Sequence, residues 1–79
     1  MSWKDNINSS IDEDVAAVDA VNSGLIYLGY SVSPGVADTD RAWKIKQVTI
    51  SGTVIRFKYA EGSRGYGFQW SQRASYTYK

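Results

Sequence analysis

Two β-favouring runs, residues 43–50 and 53–59, are separated only by Ser51-Gly52, and this constrains the chain more than any other feature. A two-residue connection allows only a hairpin, because parallel strands need a crossover of a dozen residues or more. Gly52 supplies the positive φ that such a turn demands. The spacing sets Ile50 opposite Thr53 and Val48 opposite Ile55. Continued without interruption, it would set Lys46 against Phe57, so a one-residue bulge is expected near Lys46-Gln47, aligning Ile45 with Phe57 and Trp43 with Tyr59. One face then reads Trp43, Ile45, Val48, Ile50, Ile55, Phe57 and Tyr59. The other brings Lys44 opposite Lys58 with Arg56 close by, a set of like charges that calls for an acidic cover.

Upstream, the turn cluster Asn22-Ser23-Gly24 precedes a strand over 25–32, which Pro34-Gly35 ends in a polar surface loop reaching Arg41. Residues 15–21 fit a helix through Val15, Val18 and Val21, or a strand by alternation; the strand is preferred. Downstream, the glycine-rich loop 61–67 carries Arg64 and Tyr66, and residues 68–70 and 74–78 return to strand character. The expected fold is all-β: a small antiparallel barrel or sandwich of about five or six short strands over residues 15–79, with no convincing helix.

Residues 1–14 read as an extended, flexible acidic N-terminal arm. Trp3, Ile7 and Ile11 recur every four residues, a stripe too short to hold a helix without a surface to dock on. The formal charge is +1 overall, yet residues 1–20 carry −4, residues 21–40 carry −2 and residues 41–79 carry +7. An acidic front and a basic body can neutralise one another within a chain or between neighbours. The arm is therefore expected to dock on a neighbour through Trp3, Ile7 and Ile11, with Asp12, Glu13 and Asp14 meeting Lys44, Arg56 and Lys58. Arg64 and Tyr66 would form a second partner contact.

The residue inventory narrows function further. With 79 residues and no His or Cys, the chain has no conventional triad, thiolate nucleophile, imidazole shuttle or tetrahedral zinc set. An enzyme is not expected, nor any cofactor or metal. Asp38 with Asp40, or Asp12-Glu13-Asp14, lack a calcium-loop pattern, and the spacing of Gly62, Gly65 and Gly67 is neither a Walker loop nor a dinucleotide fingerprint. No apolar run approaches the roughly 20 residues that span a bilayer, and residues 1–10 have no basic start followed by an apolar stretch. A soluble chain without an address is expected. So small a domain without disulfides gains most from assembly with other chains.

The alternative function is a small β-barrel nucleic-acid-binding protein. Lys44, Arg56, Lys58, Arg64 and Arg73 alternate with Trp43, Phe57, Tyr59, Tyr66 and Trp70, a mixture that stacks bases and tracks phosphates. Against it stand the expected register, which sends the hairpin aromatics away from the basic face, and a modest pI near 8.0. A Tyr and Trp surface for a glycan is a further option.

Ordered residues across the body carry a family resemblance: Tyr27-x-Gly29, Pro34-Gly35, Trp43-x-Ile45, Ala60-Glu61-Gly62, Tyr66, Trp70 and Arg73-Ala74-Ser75-Tyr76-Thr77-Tyr78. Over about residues 18–78 the chain resembles a family of small tailed-bacteriophage virion-associated proteins. The resemblance implies a non-enzymatic structural component of the virion, made in the host cytoplasm, present in many copies or as a homo-oligomer, and binding other virion proteins in a capsid-decoration or tail and fibre-adaptor role. The chain departs from the pattern at Tyr59, where the family tends to have Trp, at Glu61 in place of Asp, and at Gly65-Tyr66-Gly67 in a loop that is usually more acidic, departures that make this loop basic. Read as scaffold, these positions make Gly29, Gly35 and Gly62 turns, Trp43, Phe57 and Trp70 core, and Arg73 a hydrogen-bonding hub at the core's rim.

Overall fold

The computed structural model describes residues 15–79. The expectations placed on the arm, including Trp3, Ile7, Ile11, Asp12, Glu13 and Asp14, lie outside the described residues. Four strands form one antiparallel meander: β1 (Ala17–Asn22), β2 (Leu25–Ser31), β3 (Trp43–Ser51) and β4 (Val54–Tyr59), adjacent in chain order. The fold is all-β, with four strands rather than five or six and a single sheet. The segments expected as C-terminal strands make isolated bridges, Phe68 with Trp43 and Tyr78 with Ala60, on either side of a 3-10 helix, Trp70–Ser75.

The hairpin forms, with its turn one residue later. Ser51 pairs with Val54 around Gly52-Thr53, and Gly52 takes φ 63°. Ile50 therefore faces Ile55, Val48 faces Phe57 and Lys46 faces Tyr59. The expected bulge in β3 is absent, because β3 also pairs without interruption along β2, from Leu25 with Thr49 to Ser31 with Trp43. An extra residue in a central strand would break both ladders. The irregularity lies instead in β1, at the sheet edge, between Ala20 and Asn22, where only one ladder is disturbed.

A straight β3 divides its apolar residues between two faces, since side chains alternate along a strand. Trp43 and Ile45 go to one face with Tyr27 and Gly29 of β2 and with Arg56 and Lys58 of β4. Lys44, Lys46, Val48 and Ile50 go to the other, with Ile26, Leu28 and Tyr30 and with Ile55, Phe57 and Tyr59. Lys44 thus does not oppose Lys58, and the expected cationic face of Lys44, Arg56 and Lys58 does not form.

The helix and chain end cover the first face and build the core there. Ile45 and Ala60 are fully buried beside Tyr27, Trp43 and Trp70, with Ala17, Leu25, Val36, Phe68, Tyr76 and Tyr78 packed around them. The Trp43 and Trp70 rings stack with centroids 5.6 Å apart. Gly29 is a strand residue beneath that stack rather than a turn: a β-carbon on it would lie 2.6 Å from Trp70 Cε3. Trp43 Nε1 donates to Ala37 O at 3.0 Å, and Ser71 N donates to Asp38 O at 2.9 Å, so loop 32–42 is tied to the core.

Arg73 is the rim hub. Its Nε donates to Asp19 Oδ2 at 2.9 Å, its Nη1 to Trp70 O at 3.0 Å, and its guanidinium lies 4.6 Å from the Trp70 ring centroid. The Tyr78 hydroxyl donates to Arg73 O at 2.7 Å. Burial pushes the Tyr78 phenol well above its usual value, helped by the neighbouring Tyr27 and Tyr76 phenols, because a buried phenolate would lose its hydration. Glu61 is held at φ 52° by two bonds to one residue: its N–H donates to Thr77 O at 2.7 Å and its carboxylate accepts Thr77 N–H at 2.8 Å.

Candidate functional site: the open face of the sheet

The uncovered face is the candidate site, because it keeps large apolar side chains in solvent. Val18, Ile50, Ile55, Phe57 and Tyr66 are all exposed, and Phe57, expected in the core, is 57 % exposed. The cause is local. Nothing among the described residues returns over β4, whose residues 54–58 are all exposed, whereas the helix follows the stacking surface of Trp43 on the other side.

The face has two zones. Toward the hairpin turn it is aliphatic, with Ile26 beside Val48, and Ile50 paired with Ile55. Toward the opposite end it is aromatic and cationic. Lys44 Nζ lies 4.5 Å from the Tyr30 ring centroid and 5.5 Å from that of Tyr66; Lys46 Nζ lies 5.4 Å from Tyr30, 5.5 Å from Phe57 and 5.7 Å from Tyr59. Arg64 Cζ is 5.1 Å from the Tyr59 centroid. All fall within the range over which a ring's negative face attracts a cation. Three cations are therefore gathered by aromatic rings, and among the described residues the salt bridge formed is that between Arg73 and Asp19 on the other face.

Of the residues singled out in the sequence, Lys44, Arg64 and Tyr66 come together here, while Arg56 and Lys58 project from the opposite face of the edge strand. Lys46 and Tyr30 belong to the site and were missed as contact residues, and Tyr59, also part of it, was named only for the nucleic-acid alternative. Their signal was present: Lys44 and Lys46 stand two apart in a strand, which places them on one face, and the bulge inserted to repair the Lys46 pairing concealed it. Tyr30 is 5 % exposed, with both lysine ammoniums over its ring, which leaves Phe57 and Tyr66 as the exposed rings of this face.

Where β1 begins, a concavity of about 460 Å³ is lined by Val15, Ala16, Ser31–Pro34 residues and Tyr66. It opens beside the cationic zone. Asp40, considered above as half of a carboxylate pair, accepts the Ala37 N–H at 3.1 Å and so closes a turn; among the described residues no three His, Cys, Asp or Glu cluster as metal ligands. No helix of the described residues is long and apolar enough to cross a membrane. No family model, curated protein or solved structure matches the chain.

Proposed function

We propose that this protein is a non-enzymatic structural component of a tailed-bacteriophage virion that binds other virion subunits through the open face of its sheet, as a capsid decoration or a tail or fibre adaptor. The observation that carries the binding role is the exposure of Ile50, Ile55 and Phe57, and of Val18 on the far edge strand, on a face where, among the described residues, only Tyr30 and Val48 are buried, while the main core cluster lies on the opposite side. Apolar side chains grouped on one surface and bordered by cations are characteristic of protein contacts. The phage setting is supported by the ordered residues from Tyr27 to Tyr78. Mass-spectrometric localisation on purified particles separated into heads and tails tests it. Recovery with heads supports a shell clamp and recovery with tails an adaptor; absence from particles overturns the virion reading.

A nucleic-acid-binding role is the second reading, and one observation favours it. Lys44 and Lys46 share a face with Phe57, Tyr59 and Tyr66, so the objection that cations and hairpin aromatics lie on opposite faces no longer holds. Its signature is affinity for a labelled single strand that falls steeply with salt. Tryptophan fluorescence from Trp43 and Trp70 would not report it, because both are buried on the covered face. Salt-insensitive or undetectable binding removes this reading.

A further inference from the structure

We infer that copies of this chain join edge to edge, β1 of one copy adding as a strand to β4 of the next, with Val18 opposite Phe57, Asp19 opposite Arg56 and Ala20 opposite Ile55. This goes beyond the reading of the open face as a contact for other subunits and leaves that face free, because it uses only the two edges of the sheet.

The free positions on β4 follow from its ladder. Hydrogen-bonded and non-hydrogen-bonded pairs alternate between antiparallel strands. Ala60 N donates to Ile45 O at 3.1 Å, so Lys58, Arg56 and Val54 also turn their backbone groups toward β3, while Tyr59, Phe57 and Ile55 turn theirs outward. Lys79 takes the position at Tyr59: its O accepts from Tyr59 N at 3.1 Å and its N donates to Tyr59 O at 3.2 Å. Phe57 and Ile55 have no such backbone partner among the described residues. A regular edge with two free N–H and two free C=O groups is a template for strand addition.

The opposite edge offers the matching pair. Val32 N donates to Ala42 O and Ile50 N to Gly24 O, each at 3.0 Å, so the even-numbered residues of β2 bond to β3, and Tyr27 and Gly29 bond to β1. Their partners Asp19 and Ala17 therefore bond inward, and Val18 and Ala20 turn their backbone groups outward. The irregularity between Ala20 and Asn22 ends the regular edge there. Each edge thus presents two outward residues, two positions apart.

Direction and register select a second copy as the occupant. Successive strands of the meander are antiparallel, so a copy set beside the first in the same orientation brings its β1 antiparallel to β4 with the covered faces on one side. Val18 cannot oppose Tyr59, where Lys79 already pairs, and Val18 opposite Ile55 would set Asp19 against Val54. Val18 opposite Phe57 uses both free positions. It sets Val18 and Ala20, which share the open face with their partners Leu28 and Ile26, beside Phe57 and Ile55; Val18, Ile55 and Phe57 are all exposed in the single chain. On the covered face it sets Asp19 opposite Arg56. Asp19 gives Oδ2 to Arg73 Nε, and its second oxygen can accept from Arg56, which forms no salt bridge among the described residues. Opposite charges placed so favour the pair and fix its register. The contact is heterologous, so it propagates into a ring or an open row.

The full-length chain lacks cysteine, so Val18→Cys and Phe57→Cys chains mixed in equal amounts under mild oxidation test the register. Hydrogen-bonded partners in an antiparallel pair have Cα atoms about 5.5 Å apart, within disulfide reach. The mixed dimer is expected in several-fold excess over either variant's own dimer and over the product of Val18→Cys with Arg56→Cys, whose side chains leave opposite faces. Arg56→Ala in the Phe57→Cys chain should lower the yield several-fold, and Arg56→Lys should keep most of it. Sedimentation of the unmodified chain gives an independent reading: its mass should rise above the monomer with concentration, and Ile55→Pro, which removes an outward N–H that β3 does not use, should abolish the rise. A dominant Phe57→Cys self-dimer overturns the inference in favour of two β4 edges pairing. Equal yields with Phe57→Cys and Arg56→Cys, or a monomer mass at every concentration, overturn it outright. None of these results depends on recovery of the protein from heads or tails, so this inference and the virion reading fail separately.

Discussion

The Trp70 indole occupies the space that a β-carbon on Gly29 would need, with Cε3 only 2.6 Å from that position and Trp43 Cε3 at 3.0 Å. Gly29 is therefore fixed by packing, and the stack of two tryptophans on a bare strand backbone is what seats the C-terminal helix on the sheet. Gly29→Ala must push that stack aside. A loss of about 1–3 kcal/mol is expected, read as a lowered midpoint in urea together with a weakened near-ultraviolet tryptophan signal; an unchanged midpoint would show that the helix can shift freely.

Arg73 and Asp19 tie the helix to β1 across 54 residues of sequence. Both side chains are about one-third exposed, so the ion pair itself contributes no more than about 1 kcal/mol. Arg73→Ala should cost more than Asp19→Ala, because it also removes the bond to Trp70 O and the contact with the Trp70 ring. A double-mutant cycle measures the split, and equal single costs would assign everything to the ion pair.

Tyr78 makes stability sensitive to alkali. Its folded-state phenol ionises above the ordinary value of 10.0, so the folded chain retains a proton that the unfolded chain releases. The corresponding stability is complete below about pH 10 and is lost as pH rises toward the folded-state value. Tyr78→Phe should flatten this decline while lowering stability at neutral pH by about 1 kcal/mol through the lost bond to Arg73 O. Chemical denaturation at pH 7 and above pH 10 checks both signs.

The two faces should respond differently to substitution. Ile45→Ala empties a fully buried site and should cost about 2–5 kcal/mol. Ile55→Lys, on the open face, should change stability by about 1 kcal/mol or less yet reduce incorporation into particles. Normal incorporation of a folded Ile55→Lys chain would remove the open face from the assembly contact.

Removal of residues 1–14 should abolish assembly and leave the β domain folded, with the Trp43 and Trp70 stack still visible in the near-ultraviolet. A shortened chain that assembles normally would contradict the role given to that segment.

The hairpin, the strand at residues 25–31 and the all-β class were legible in the sequence because they follow from local chemistry: turn residues of fixed length between β-favouring runs. Trp43 and Trp70 as core and Arg73 as a rim hub were legible too. The helix at residues 70–75 was not, since Trp-Ser-Gln-Arg-Ala-Ser has no helical period and six residues cannot show one. The site was half legible. Lys44, Arg64 and Tyr66 were named, but Lys44 was grouped with Arg56 and Lys58 through a bulge that the second ladder of β3 forbids.

By itself, then, the sequence determined the four segments that pair in the sheet, while over-reading residues 68–70 and 74–78 as strands; it also set where the main turn would fall to within one residue, and excluded His and Cys chemistry. The tertiary structure decided which face each residue of β3 occupies. A central strand must satisfy two neighbours at once, and pairing with β2 admits no extra residue; that non-local requirement sends Trp43 and Ile45 into the core, and sets Lys44 and Lys46 among the aromatic rings of the face left open.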